Sequence, residues 1–400
     1  MKGRIINLLL IFALSFSASG CWSRREINDL AIIIAAAVDK AEEEGKVRLA
    51  VQIVKPEAIG KKKGGSSSDS STEEAFWVAA STGNTIYDAE RMLSAHVPRS
   101  LFWSHCRAVI IGEDLAREGV ASILDFFDRR HDMRRRMWFL IAEGKARDTL
   151  EVHRYIEKTS GNALHMLLQH AYDHSKGYYI SDMNQFLKRL SSKGTHPAAA
   201  RVETVYGGGR SEKEKETELK LTGTAVFKTD RLIGWLNETE TRGLLWVMGK
   251  AERGVIPVPC PAHDKQDDKV SLMTMRTKSK IVPVICDDKV AITVEIEVEG
   301  DIGAQDCQEN LATPDKIASL NKRYAEAVHK EVLKALNKAK DEYKVDIFGF
   351  GEAVMRKYPR VWEKLEKKWN DEVFPTIQVN IKVKANVRRT GISSEPTTKR

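Results

Sequence analysis

The stretch Lys289–Gly300, KVAITVEIEVEG, leaves this chain the fewest choices of fold. Val290, Ile292, Val294, Ile296 and Val298 alternate with Thr293, Glu295, Glu297 and Glu299 on every other position. A period of two puts the aliphatic set on one face of an extended strand and the glutamates on the other, whereas a helix would scatter both sets around its circumference. The expectation is therefore a sheet buried on one face and wetted on the other. The glutamates line up like a row of catalytic carboxylates. No base, nucleophile or metal ligand is specified beside them, so a solvated outer face is the preferred reading.

The residues after this strand read as its companions. Ile317, Leu320, Tyr324, Ala327, Val328, Val332, Leu336 and Ala339 form an apolar stripe at helical spacing, which predicts a long helix from about Pro314 to Lys340. Pro314 suits its first turn. Gly349 and Gly351 are too few for a phosphate-binding loop and instead permit a bend. Trp362, Leu365 and Trp369 share one helical face and are expected in a core, against the long helix or the terminal sheet. Val379, Ile381, Val383, Ala385 and Val387 alternate as a last strand, and residues 391–400 read as a disordered tail.

Upstream, strands and helices take turns. Leu30–Val38 is a nearly continuous apolar run and Val47, Leu49, Val51 and Ile53 alternate, giving two strands. Residues 56–72, with KKKGGSSSDSS, read as an exposed insertion. A third strand in EEAFWVAASTG leads to a helix capped by Thr85, then a buried strand at Ala108–Ile111, helices either side of Gly119, and a strand in RMWFLIAEG. That succession predicts a mixed α/β region over 21–206. GGGRSEKEKETELK then changes the composition abruptly, and residues 207–217 read as a charged linker to a second mixed α/β region at 218–390.

Chemistry is sparse along this chain. Four cysteines remain if Cys21 is modified, too scattered for a disulfide scaffold; Cys260 and Cys286 are the candidate pair, and free thiols the plainer reading. His105 and Cys106 are adjacent, so on a strand they point to opposite faces and make no catalytic pair. His170 and His174 share a helical face with Asp173 nearby, but zinc needs a further ligand, and an exposed polar helix is preferred. The run RRHDMRRR, with Arg129, Arg130, Arg134, Arg135 and Arg136, offers a partner-facing or phosphate-facing patch, tempered by Asp125, Asp128 and Asp132 among it. No cofactor motif is present, and nothing indicates nucleic-acid binding.

The N-terminus, MKGRIINLLLIFALSFSASGCW, has the order of an export signal: basic Lys2 and Arg4, an apolar run from Ile5 to Phe16, then small residues before Cys21. A cysteine directly after such a cleavage site is placed to be lipidated, although Ala18 stands where these signals usually carry a branched residue. Two acyl chains suffice for stable membrane attachment. Removing the signal peptide, residues 1–20, takes two of the 64 basic residues and none of the 56 acidic ones, leaving a charge near +6. Such an excess favours anionic surfaces without naming one.

Taken in order after that signal, CWSRREINDLAI, SLFWSHCRAVIIGEDLAREG, LDFFDRR and DIFGFGEAVMRKYPRVWEKLEKKW closely resemble the Ger(x)C family, the lipoprotein C subunits of bacterial spore germinant receptors. The resemblance spans Cys21 to about Gly391. It implies a three-domain mixed α/β lipoprotein with mixed sheets and packed helices, two of the domains within 21–206, on the outer face of the cytoplasmic membrane and in the spore inner membrane. It further implies a non-catalytic role in nutrient-triggered germination beside two membrane-embedded partner subunits. Cys21 matches the family's lipidated cysteine, and Trp22, Arg24, Arg25, Glu26, Asn28, Asp29 and Leu30 match its mature N-terminal pattern; Arg24 and Arg25 join the arginine run as candidate partner contacts. A lipid-anchored solute-binding protein is the first alternative, since two linked lobes would suit one. An envelope-acting hydrolase or transferase is the second.

Overall fold

The computed structural model describes residues 26–56, 75–152, 157–174, 177–206, 217–261, 268–286 and 289–389, together with Gly3 and Ile5. Its strands fall into two sheets. The first contains β1 (Leu30–Lys40), β2 (Val47–Val54), β3 (Phe76–Gly83), β4 (Ser100–Phe102), β5 (Ala108–Gly112), β6 (Trp138–Ala142), β7 (Ala198–Tyr206), β8 (Thr217–Lys228) and β9 (Arg231–Leu236). Its order is β3-β2-β1-β5-β6-β7-β8-β9, with β4 beside the start of β1. The centre, β1, β5, β6 and β7, is parallel, and the strands flanking it are antiparallel.

A parallel centre needs helical crossovers, and these cover both faces of the sheet. On one side, Ile33, Val109, Ile111, Phe139 and Ile141 pack with Ile86, Leu93, Ile123, Phe127 and Phe186 from three helices. On the other, Ala35, Ala37, Ile110 and Leu140 meet Leu150, Leu164 and Leu168. All five residues of β5 are consequently buried, which is why its sequence is apolar without alternation. The helix over Ile86–Ser94 starts where the sequence places it, with the Thr85 side chain accepting from the Asp88 amide at 3.1 Å.

The second sheet runs β10 (Val255–Pro259), β11 (Lys269–Cys286), β12 (Lys289–Gln305), β13 (Gln378–Arg389). β12 pairs antiparallel with β11 and parallel with β13. The alternating strand behaves as expected: Val290 to Val298 are buried against Leu320, Tyr324, Val328 and Val332 of the helix Pro314–Asn337. The opposite face carries charge rows. Register places Lys278, Glu297 and Lys384 side by side across three strands, and Lys280, Glu295 and Lys382 in the next row.

One sequence expectation changes here, and the composition change at 207–217 acquires a structural setting. Residues 207–216 lie outside the described residues, but Tyr206 and Thr217 on either side of them are register partners in the β7–β8 ladder. β8 and β9 thus extend the first sheet, so the composition change is not an edge between the sheets; local composition carries no information about long-range strand pairing. Cys260 pairs with Cys307, not Cys286, closing a separation of 47 residues. Cys260 follows β10 at one end of the sheet, and the end of β12 returns Cys307 to that place, since β11 pairs with both strands along its first residues.

Candidate functional site

Cys21, Arg24 and Arg25 lie outside the described residues. The chain enters the description at Glu26, makes one exposed turn over Ile27–Asp29, and continues directly into β1.

The arginine run divides according to what each side chain meets. Arg129 pairs with Asp125 at 2.7 Å, four residues back on its own helix, and both are exposed. Arg135 pairs with Asp128 at 2.6 Å. Arg130 is a packing residue: it bonds Glu90 at 2.6 Å and both oxygens of Asp132 at 2.9 Å, with its guanidinium 5.4 Å from the Trp103 ring centre. Trp103 donates to the same Glu90 carboxylate at 2.8 Å. Burial works against the Arg130 charge, but Asp132 and Glu90 outweigh it and hold the group firmly protonated. Arg134 and Arg136 form no ion pair among the described residues and instead line a cleft of about 620 Å³ with Arg107, Trp138, His165 and Tyr172.

The histidine and thiol candidates separate in the same way. His105 is exposed at the cleft, while the neighbouring Cys106 is buried, its thiol directed to the Ala108 carbonyl at 3.4 Å and pushed up to about 12 by burial. A thiol held protonated there is no nucleophile. The two sit in a turn rather than a strand, but they diverge as alternation would have them. His170 is an exposed residue of the helix Ser160–His174, and no group of metal-ligating side chains gathers among the described residues.

A second assembly went unread in the sequence: the junction where DIFGFGE meets SKGTHP. Asp346 is fully buried and accepts from Phe348 and Gly349 amides at 2.9 Å, Gly351 amide at 2.7 Å and Trp369 Nε1 at 3.1 Å. Burial raises its carboxyl above the usual range, and the Gly351 and Gly349 amides and the Trp369 indole oppose that. The bend expected at the glycines is thus a wrap around a carboxylate, with Gly349 left-handed at φ 88°. Gly351 faces Gly194 of the first half: a Cβ on Gly351 would stand 2.7 Å from the Gly194 carbonyl oxygen, and one on Gly194 2.5 Å from the Glu352 nitrogen. Around this contact the Glu352 amide donates to Gly194, the His196 amide donates to the Asp346 carbonyl at 2.7 Å, and Ser192 bonds the Glu352 carboxylate at 2.7 Å. Burial, then the Lys228 charge, lowers the His196 imidazole to about 4. Its Nδ1 accepts from the Thr229 amide at 3.0 Å.

A parallel-centred sheet, a one-faced sheet and the glycine junction between them define a mixed α/β protein, and comparison gives it a family. Residues 23–204 match the spore germination protein N-terminal domain, and 222–391 match the spore germination B3/GerAC-like C-terminal family. The chain is 30% identical over 392 residues to spore germination protein KC of Bacillus subtilis (strain 168), covering 94% of this chain and 93% of that protein. It is 24% identical over 390 residues to spore germination protein A3 of the same organism, covering 96% and 98%. The crystal structure of the GerBC protein superposes with a TM-score of 0.52 at 19% identity, over 89% of this chain and 98% of that one. The chain belongs to the Ger(x)C family of spore germination proteins, and the likeness to GerBC shows the shared fold.

Proposed function

We propose that the chain is a non-catalytic, lipid-anchored subunit of a nutrient germinant receptor, held on the outer face of the cytoplasmic membrane and, in the spore, the inner membrane. It works there beside two membrane-embedded subunits. The observation that carries this reading is the N-terminal arrangement. The export-signal pattern ends at Gly20, directly before Cys21 and only six residues before Glu26, and no helix among the described residues is long and apolar enough to cross a membrane. Five extended residues reach at most about 18 Å, so an acyl group on Cys21 would hold β1 close to the lipid surface. The buried, protonated Cys106 beside His105 supports the non-catalytic part.

Changing Cys21 to Ala in the full chain tests the anchor. Radiolabelled lipid should no longer be incorporated, the protein should leave the membrane fraction, and nutrient germination should fail while the chain remains folded. Undiminished lipid labelling of that variant sinks the anchor assignment. Affinity capture of the wild-type chain from detergent-solubilised spore membranes should bring two membrane-embedded subunits with it, and capture of the chain alone sinks the assembly.

A further inference from the structure

We propose that the cleft at the amino ends of β5 and β6 binds one small ligand through an oxyanion, a carboxylate or phosphate gripped by Arg107, Arg134 and Arg136. This does not rest on the receptor reading. The cleft's volume of about 620 Å³ falls within the range of about 300–1,000 Å³ typical of small-molecule sites. Its charge is unbalanced. Three guanidinium groups face one carboxylate, Asp182, whose Oδ1 already accepts the Gln185 amide at 2.7 Å as a helix cap. The contrast with neighbouring arginines is the telling point. Arg129, Arg130 and Arg135 each have a carboxylate, whereas Arg134 and Arg136 have none among the described residues.

Arg107 is positioned without being neutralised. Its Nη1 donates to the Asn162 amide oxygen at 2.9 Å, and Asn162 donates in turn to Glu157, so the fork is aimed by a neutral group. Planar guanidinium forks match the paired oxygens of carboxylate and phosphate, which single ammonium groups do not. The segment carrying Arg134 and Arg136 is likewise fixed: the Asn184 amide donates to the Arg135 carbonyl at 3.0 Å and the Met183 amide to Met137 at 2.9 Å. Trp138 Nε1 donates to His165 Nδ1 at 3.0 Å, which places the proton of the neutral ring on Nε2 as a further donor. Burial and the Arg107 charge keep that ring neutral by lowering its pKa. Tyr172, 6.0 Å from the Trp138 ring centre, completes an aromatic wall for the ligand's carbon part.

Isothermal titration of the full chain at low ionic strength, with inorganic phosphate and with succinate, tests the free-ligand form. A parallel arm floats the Cys21→Ala chain with vesicles of phosphatidylglycerol in phosphatidylcholine, so that a headgroup is read without an acyl anchor. Saturable one-to-one binding of either free anion, weakened at least tenfold in Arg134→Gln/Arg136→Gln, supports a soluble ligand. Vesicle binding alone, lost in that variant, supports a lipid headgroup. Arg117→Gln/Arg147→Gln removes two surface arginines elsewhere and should change neither by more than twofold. Arg107→Gln attacks the site from the strand side and serves if the double variant does not fold. Failure of every probe to bind, or equal loss in the Arg117→Gln/Arg147→Gln control, overturns the proposal.

Discussion

β5 and β12 are both interior strands, yet neighbouring side chains along them live in different surroundings. In β5, Ile110 belongs to one apolar layer and Ile111 to the other, and both are fully buried. In β12, Ile296 is buried and Glu297 is open to solvent. The difference follows from connectivity: parallel strands demand crossovers that shield both faces, while the second sheet has its helical cover on one. With half the cover, the second sheet gathers other restraints, namely the Cys260–Cys307 bond, the buried Trp362 and Trp369, and the carboxylate wrap at Asp346.

If those restraints replace missing cover, removing them should hurt most. Trp369→Ala should lower stability by about 3–5 kcal/mol, through lost contact with Trp362, a residual cavity and an unmade bond to Asp346. Urea unfolding of the full chain measures it, because residues 218–390 alone would separate β8 and β9 from their sheet. An unchanged midpoint would move the tryptophans out of the core.

Next in size is Cys260→Ser/Cys307→Ser. Loop-closure entropy over a 47-residue separation predicts a loss of about 4 kcal/mol at the upper end of what disulfides deliver. The same unfolding experiment with and without reductant should show a reductant-sensitive wild type and an insensitive double variant. Equal midpoints would mean that the one-faced sheet needs no staple.

The seam between the sheets should respond to acid. His196 has its folded pKa lowered to about 4 from an ordinary 6.5, so between these values the unfolded chain takes up a proton that the folded chain refuses. Stability is therefore lost as pH falls from about 6.5 towards 4, by about 3 kcal/mol at most. His196→Gln should flatten that slope in denaturant titrations across the window, and an identical slope would show the histidine to be incidental.

The smallest effects separate the two strands directly. Ile110→Val and Ile111→Val should each cost about 0.5–1.5 kcal/mol, because both lie in packed layers. Ile296→Val should match them, while Glu297→Gln should stay within about 0.5 kcal/mol. A measurable cost for Glu297→Gln would mean that the charged rows are covered.

These contrasts also explain what could be read in advance. Period-two alternation foretold β12 and β13, and the helical stripe foretold Pro314–Asn337, because one side of each faces water and leaves a pattern. The Trp362–Trp369 stripe was correctly buried even though the backbone changes there, from α-helix at Leu365 to a tighter turn at Glu366–Lys368 and a wider one at Trp369–Val373. What stayed hidden was everything fixed by distant partners. Nothing near Cys307 marks it as the mate of Cys260, and nothing near Gly351 says that Gly194 must touch it. The acids Asp125, Asp128 and Asp132 among the arginines were legible, but which arginine each would meet, and that Glu90 from a distant helix would take Arg130, depends on the fold.

The β7–β8 ladder bears on how this protein would come apart. A protease cutting once between Tyr206 and Thr217 would yield two pieces that still share hydrogen bonds from Ala198 paired with Val226 through to Tyr206 with Thr217. Such a nicked chain should travel as one particle in gel filtration and split only in denaturant. Expressing the pieces separately is a different matter, for the first would present β7 as a raw edge and the second would carry an unpartnered hairpin. Both are invitations to pair with strangers, so the covalent continuity of this region protects the protein against aggregation during synthesis more than it holds the finished fold together.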